Sequence, residues 1–116
     1  MSGPVRPWGK YKILFKNAAC QVKRIEIKSK LRFSLQKHKK RSETWVLISG
    51  EGLATVGKKE IKVKSGSVVE VARGQAHRME NTARAPLVFI EVQLGDYFGE
   101  DDIVRLEDDF DRADGH

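Results

Sequence analysis

The chain has 116 residues, with 22 Lys or Arg against 16 Asp or Glu, a formal net charge of +6, 40% hydrophobic residues and 33% charged residues. This length predicts one domain over residues 1–116, with a core over about 6–105 and an acidic tail over 106–116. The composition excludes wholesale disorder, and no apolar run reaches the roughly 20 residues of a membrane helix. The lack of a secretory signal and the single Cys20, which cannot form an intrachain disulfide, predict a cytoplasmic protein without a membrane partner.

Short apolar or alternating segments follow one another along the chain, with turn residues between them. The predicted strands span residues 11–15, 22–27, 32–36, 43–49, 53–56, 60–63, 67–71, 76–80 and 87–94. Many short strands at nearly regular spacing are typical of an all-β sandwich or barrel. The segment 100–112 fits either a short C-terminal helix or a strand with a charged tail, and its sequence does not decide between them.

The charge is distributed unevenly along the chain. Residues 1–95 carry 20 Lys or Arg and seven Glu, a net charge of +13, whereas residues 96–116 carry nine acids and two Arg, a net charge of −7. A basic body attracts phosphorylated metabolites or nucleic acid, although lysines also serve simply as a solvated surface. Because the chain lacks strands that combine aromatic and basic residues, and because the tail either folds back or repels a phosphate backbone, no nucleic-acid partner is expected.

Four polar side chains have the residue types of a metal site. Gln36 and His38 alternate along a predicted strand and therefore share one face. Glu43 opens the next strand, and His77 follows a turn at Gly74. If these strands pair around a barrel, an amide oxygen, two imidazoles and a carboxylate close on one divalent ion. Spacing alone favours the alternative, in which these residues are isolated or lie on the surface.

Two groups of residues resemble the sequence motifs of the cupin family. The first motif is matched by His38, Glu43 and Gly50, and the second by Gly66, Gly74, His77 and Asn81, with Ala72 in its proline position. The resemblance implies an all-β fold, the cupin double-stranded β-helix or jelly-roll barrel.

The chain resembles one branch of that family more closely, the C-terminal cupin module of type II mannose-6-phosphate isomerases, which is often fused to a mannose-1-phosphate guanylyltransferase domain. The matching segments follow the family's order and span residues 6–11, 22–25, 33–38, 41–45, 77–81 and 91–105. The resemblance implies one bound divalent metal, first of all Zn²⁺ with Fe²⁺, Mn²⁺, Ni²⁺ or Co²⁺ as the other candidates. The implied ligands are Gln36, His38, Glu43 and His77.

The chain departs from the family's pattern at three points. Lys39 and Lys40 stand where the family usually has histidines, although a Gln-x-His pair with Glu43 and His77 does not require them. Ala72 replaces a motif proline, which affects the rigidity of a turn more than the chemistry. The chain contains no glycine-rich nucleotidyltransferase segment, so no guanylyltransferase activity is expected of it.

The resemblance implies an enzyme of carbohydrate metabolism and polysaccharide biosynthesis, which interconverts mannose 6-phosphate and fructose 6-phosphate through an enediol. Such a reaction requires a base that reaches the C1–C2 edge and cations that hold the phosphate. The catalytic candidates are Glu91, Lys40 and Arg105, with Lys39 and Glu70 also considered as the base. The substrate-binding candidates are Arg41, Arg78, Trp45 and Tyr11, although each arginine could equally pair with the acidic tail and Trp45 could equally fill the barrel.

The alternative function is a non-catalytic cupin module that binds a metal ion and a sugar phosphate without turnover. The lysines at positions 39 and 40 favour this alternative, because they replace two imidazoles of the family's pattern. An oxidative cupin with Fe²⁺ would use the same ligand types. The expected partners are a small sugar phosphate and a second copy of the chain in a homodimer.

Overall fold

The structure, a computed structural model, describes residues 5–110, and every regular element in this range is a β-strand. The strands are β1 (Val5–Arg6), β2 (Gly9–Lys16), β3 (Cys20–Ile27), β4 (Leu35–Lys37), β5 (Arg41–Ser49), β6 (Glu51–Val56), β7 (Lys59–Lys64), β8 (Val68–Val71), β9 (His77–Asn81), β10 (Leu87–Gly95) and β11 (Val104–Glu107). All of their pairings are antiparallel. One sheet has the order β1-β2-β3-β10-β5-β8 and the other β11-β4-β9-β6-β7, which confirms the all-β expectation.

Each predicted strand is present, and two further strands, β1 and β11, precede and follow the predicted ones. The strand predicted over 32–36 is shorter and later, at Leu35–Lys37. The segment after residue 100 forms β11, so the helical option for it is wrong over the described residues, and 111–112 lie outside them. β11 exists because it pairs with β4 far away in sequence, a contact that its local composition does not indicate. No helix of residues 5–110 is long and apolar enough to cross a membrane.

The register of three neighbouring strands divides the barrel interior into an apolar and a polar layer. Phe89 on β10 lies opposite Ile25 on β3 and Leu47 on β5, and all three are buried. Inward-facing positions recur at every second residue of a strand. Toward the other end of these strands the buried side chains are polar, namely Gln21, Lys23, Arg41, Glu43, Glu91 and Gln93. Because burying polar groups is costly unless they are hydrogen-bonded, this layer is the natural place for a site.

Asn81 at the end of β9 ties two chain segments together. Its side chain is fully buried, donates to the carbonyls of Ile27 (3.0 Å) and Ala85 (2.8 Å), and accepts from the amide of Ala83 (2.9 Å). Asn81→Ala is expected to lower the free energy of unfolding by about 2 kcal/mol, because it leaves buried backbone groups unpaired. Urea unfolding measures this loss, and the exposed neighbour substitution Thr82→Ala is the control. Equal stability of the two variants would contradict the assigned role.

Candidate metal centre and adjoining cavity

Three buried side chains of the polar layer converge on one point. His38 directly follows β4, Glu43 lies on β5 and His77 begins β9, and one potential ligand atom from each lies within 4.8 Å of the other two. The Nε2 atoms of His38 and His77 approach the two Glu43 oxygens at 3.5 and 3.6 Å. Two imidazoles and a carboxylate are ligands that divalent transition metals prefer.

Backbone carbonyls orient both imidazole rings. His38 Nδ1 lies 2.6 Å from the carbonyl oxygen of Asp102, and His77 Nδ1 lies 3.0 Å from that of Gln75. A carbonyl only accepts, so each Nδ1 carries a proton and each Nε2 is directed toward the interior of the site, near Glu43. Burial lowers the pKa of His38 to about 4, which keeps this ring neutral at physiological pH. The buried Nε2 of His77 has no hydrogen-bond partner among residues 5–110, as expected of an atom reserved for a ligand. The residues present therefore fit a divalent metal ion.

A guanidinium group lies against the same atoms. Arg41 donates from Nε to Glu43 Oε2 at 3.1 Å and from Nη2 to His38 Nε2 at 3.1 Å. The Arg41 side chain is only 5% exposed. Burial alone would raise the pKa of Glu43, but the neighbouring His77 and Arg41 outweigh burial and lower it to about 2. Glu43 is therefore an anion that a cation must always accompany.

A second carboxyl group lies behind the first. Glu91 on β10 shares a hydrogen bond with Glu43, and the indole Nε1 of Trp45 donates to both carboxyl groups at 3.0 and 3.1 Å. Gln93 Nε2 donates to the other oxygen of Glu91. Burial and the charge of Glu43 raise the pKa of Glu91 to about 8, so Glu91 is a neutral acid at pH 7.

A small cavity of about 80 Å³ opens next to these residues. Its charged wall residues are mainly basic, and they are Arg6, Lys23, Arg41 and Arg105, with Glu91 and Glu100 as the acids. Glu100 accepts hydrogen bonds from Tyr11 at 3.2 Å and from Arg6 at 3.4 Å. Burial would raise the pKa of Glu100, but Lys23 and Tyr11 outweigh it and lower the pKa, so that Glu100 is ionised. The ordinary volume of a small-molecule pocket is several times larger.

The structure brings some of the predicted site residues together and separates others. Gln36 lines the cavity and pairs in register with His77, although Ser34 donates to its side-chain oxygen at 3.0 Å. Tyr11 and Arg105 also line the cavity. Trp45 is fully buried among Phe33, His77 and Phe89, so its role is to fill the barrel and to donate to the carboxyl groups.

Four candidates do not reach the cavity. Lys40 is exposed and places its ammonium over the ring of Tyr97 at 4.7 Å, so it is not a base in this site. Lys39 and Glu70 are likewise exposed. Arg78 lies outside the cavity wall and donates to the carbonyl of Phe33 (2.9 Å) and to Glu107 (3.1 Å), so the structure pairs it with the acidic tail.

Arg78→Met is expected to destabilise the fold by about 1–2 kcal/mol, because the Phe33 carbonyl loses its buried donor. Ligand binding in the cavity is expected to stay unchanged. Thermal unfolding and calorimetric titration with mannose 6-phosphate measure the two effects, and Arg73→Met in the exposed turn before β9 removes the same charge as a control. A loss of mannose 6-phosphate binding in the folded Arg78 variant would return this residue to the site.

Sequence reasoning missed three charged residues of the cavity wall. Lys23 lies on the same face of β3 as the buried Ile25 and Ile27, so alternation could have assigned it to the interior. Arg6 and Glu100 meet across 94 residues of chain, and no local pattern indicates such a contact.

The two antiparallel sheets with a histidine- and carboxylate-lined polar end define a cupin-type β-barrel. Solved structures agree with this class. A conserved protein with a double-stranded β-helix domain from Klebsiella pneumoniae aligns with a TM-score of 0.77 over 90% of this chain and 89% of that one, at 19% identity. The capsular polysaccharide assembling protein CapF from Staphylococcus aureus aligns with a TM-score of 0.79 over 90% of this chain and 33% of that one, at 22% identity.

The chain belongs to the family described as mannose-6-phosphate isomerase C-terminal, which it matches over residues 2–108. It is 41% identical over 108 residues to the xanthan biosynthesis protein XanB of Xanthomonas campestris pv. campestris, and 37% identical over 108 residues to a mannose-1-phosphate guanylyltransferase of Klebsiella pneumoniae. The alginate biosynthesis protein AlgA of Pseudomonas aeruginosa is 40% identical over 108 residues. Each match covers 93% of this chain but only 22–23% of the relative, so the chain spans less than a quarter of their length.

These relatives overturn one expectation. The prediction that this chain by itself interconverts mannose 6-phosphate and fructose 6-phosphate is wrong, because the curated relatives include proteins named for guanylyl transfer and polysaccharide biosynthesis, and the chain matches only a small part of each. The geometry gives a physical reason. Glu91, the leading candidate for the base, has both oxygens in hydrogen bonds to Trp45 and Gln93, and Lys40 faces outward.

Proposed function

We propose that the chain is a non-catalytic cupin module, which binds one divalent cation and an anionic sugar phosphate in the cavity beside that cation. The observation that carries the proposal is the buried convergence of His38, Glu43 and His77 with both imidazole rings oriented by backbone carbonyls. Gln36, which lies across from His77 in the register, supplies a further oxygen ligand. When bound, the ion would polarise the oxygen atoms of a ligand.

The basic wall of the cavity supports an anionic ligand. Arg6, Lys23 and Arg41 lie on it, and the cavity's ionised acid, Glu100, bonds Arg6 and Tyr11 at its edge. Arginine is well suited to bidentate contact with phosphate, and a partly desolvated cluster of cations strengthens that attraction. The Glu100 carboxylate marks the position that a phosphate oxygen would take.

The state of Glu91, the leading candidate for the base, supports the proposed absence of turnover. Glu91 is a neutral acid at pH 7, and both of its oxygens are engaged by Trp45 and Gln93. A general base must be ionised and within reach of the proton that it removes. The small volume of the cavity, about 80 Å³, further favours binding of the ligand's phosphate end over enclosure of a whole sugar.

Metal analysis and ligand titration test this function together. We expect about one divalent ion per chain after loading, and calorimetric binding of mannose 6-phosphate that decreases in chelator. A coupled assay for fructose 6-phosphate is expected to give no turnover above the rate without protein. His77→Ala is expected to lose the ion, whereas the exposed Lys40→Ala keeps it. Chelator-sensitive turnover, or retention of the ion in His77→Ala, would contradict the proposal.

A further inference from the structure

The Arg41 guanidinium makes two hydrogen bonds to atoms that a metal ion would need. Its Nη2 lies 3.1 Å from His38 Nε2, and its Nε lies 3.1 Å from Glu43 Oε2. Both partners are almost completely buried, with their side chains 3% and 2% exposed. These are charge-assisted contacts in a site that holds little water, where such contacts are strong.

These contacts and metal ligation exclude each other. An imidazole nitrogen has one lone pair, and His38 Nε2 is the unprotonated nitrogen because Nδ1 donates to the carbonyl of Asp102. That lone pair accepts the N–H of Arg41 in this structure. It cannot bind an ion at the same time. A guanidinium beside His38 Nε2 and a doubly charged ion bound to the same nitrogen would also repel each other strongly.

We propose that Arg41 and a divalent cation are alternative occupants of the His38–Glu43 edge, so that binding of the ion displaces the guanidinium into the basic cavity. This rests on the function proposed above. In the metal-free protein the guanidinium supplies the positive charge that buried Glu43 requires. In the metal-bound protein the ion supplies it, and Arg41 becomes available to an anionic ligand.

The displaced guanidinium has a place to go. Arg41 already lines the cavity together with Arg6 and Lys23. Its Nη1 atom is buried without a hydrogen-bond partner among residues 5–110, so one donor of the guanidinium is unused. A phosphate in the cavity would give that donor its acceptor, because Arg and phosphate pair through two parallel hydrogen bonds.

The exchange predicts that the ion and the anion bind cooperatively. Since the ion releases Arg41 toward the anion, the ion raises the affinity for the anion, and linkage requires the anion to raise the affinity for the ion by the same factor. Substitution of Arg41 should abolish this coupling, whereas substitution of an exposed arginine, which removes the same charge, should leave it unchanged.

Calorimetric titration of metal-free protein with Mn²⁺ alone tests the exchange. Arg41→Gln is expected to bind Mn²⁺ about 10- to 100-fold more tightly than the unmodified chain, because two charge-assisted bonds no longer compete. Arg24→Gln, which removes the same charge from an exposed position on β3, is expected to bind like the unmodified chain. In a second titration, Mn²⁺ is expected to raise the affinity for mannose 6-phosphate in the unmodified chain and not in Arg41→Gln. Equal or weaker Mn²⁺ binding by Arg41→Gln would overturn the exchange.

Arg41→Gln leaves Glu43 buried without its cation, so its folding is measured first. If the variant is unfolded in chelator, Mn²⁺ is expected to restore a cooperative thermal transition, because the ion replaces the missing charge. The neutral pair Arg41→Gln/Glu43→Gln is expected to fold without the ion and not to gain stability from it. An Arg41→Gln variant that stays unfolded with Mn²⁺ would overturn the exchange. Absence of Mn²⁺ binding to both the unmodified chain and Arg41→Gln would overturn the proposed function as well.

Discussion

Glu43→Ala is expected to abolish stoichiometric metal binding and to lower the free energy of unfolding of the metal-free protein by about 3–5 kcal/mol. The Glu43 carboxylate accepts from Arg41 Nε and from Trp45 Nε1, and both donors are buried. Its removal leaves a buried guanidinium without an anion, which is among the costliest defects that a single substitution produces. Urea unfolding in chelator and metal analysis after loading measure the two effects.

Two further variants separate the charge of Glu43 from its shape. Glu43→Gln retains the size and one acceptor oxygen, so it is expected to lose metal binding with a smaller loss of stability than Glu43→Ala. Glu51→Ala removes an exposed carboxylate from β6 and is expected to change neither property. A Glu43→Ala protein that keeps one ion per chain would show that the two histidines are sufficient, or that the ion lies elsewhere.

Alternation along strands predicted a large part of the site. Glu43 and Trp45 are two residues apart on a strand, and they share the inner face of β5, where Trp45 donates to Glu43. The same rule excludes Arg78 from the cavity, since adjacent residues of a strand point to opposite faces and His77 faces inward. The prediction of Arg78 as a substrate-binding residue does not take this parity into account.

Contacts between distant segments could not be predicted from local pattern. The Asp102 backbone carbonyl fixes the ring of His38, and the Asp102 carboxylate accepts from the amides of Lys39 and Lys40. These contacts join residues 62 to 64 positions apart, and they form only because β11 returns beside β4. The Asp102 backbone, which lies in the acidic segment 96–116, therefore orients a candidate ligand, and composition alone does not indicate this role.

The direction of the long Arg41 side chain could not be predicted from the sequence either. The sequence predicts a substrate-binding role for Arg41, but in the structure its guanidinium bonds His38 and Glu43. This orientation of the side chain follows from charge, because a buried carboxylate attracts the nearest cationic side chain on its own strand. Arg41 lies two positions before Glu43 on the same strand face, so the sequence shows that contact is allowed without showing that it is preferred.

The buried charges of the polar layer balance because one of its two carboxyl groups, that of Glu91, is protonated. Arg41 compensates Glu43, and Lys23 lies over the ring of Tyr11 with its ammonium 4.3 Å from the ring centre. Lys23 lies opposite Glu91 in the register and favours the ionised form of Glu91, but burial and the charge of Glu43 outweigh it. Glu91 therefore holds a proton that it shares with Glu43.

Glu91→Gln is expected to stabilise the metal-free protein at neutral and mildly alkaline pH. The pKa of Glu91 is raised by burial and by Glu43 to about 8. Between its ordinary value near 4.5 and about 8, the folded chain binds a proton that the unfolded chain lacks, so the stability of the unmodified protein falls as pH rises. A neutral amide removes this dependence, and at pH 7 the gain is roughly 2–3 kcal/mol before any cost of reorienting the hydrogen-bonded Gln93 amide.

Urea unfolding in chelator at a series of pH values from 5 to 8 measures the effect as a difference in slope. The unmodified chain is expected to lose stability with rising pH relative to Glu91→Gln, and the two curves converge toward pH 5, where the unfolded acid also becomes protonated. Glu70→Gln, on an exposed position of β8, is expected to follow the unmodified chain. Parallel curves for Glu91→Gln and the unmodified chain would mean that Glu91 is ionised in the fold. In that case the Glu91 carboxylate could accept a proton, and the physical argument against Glu91 as the base would no longer hold.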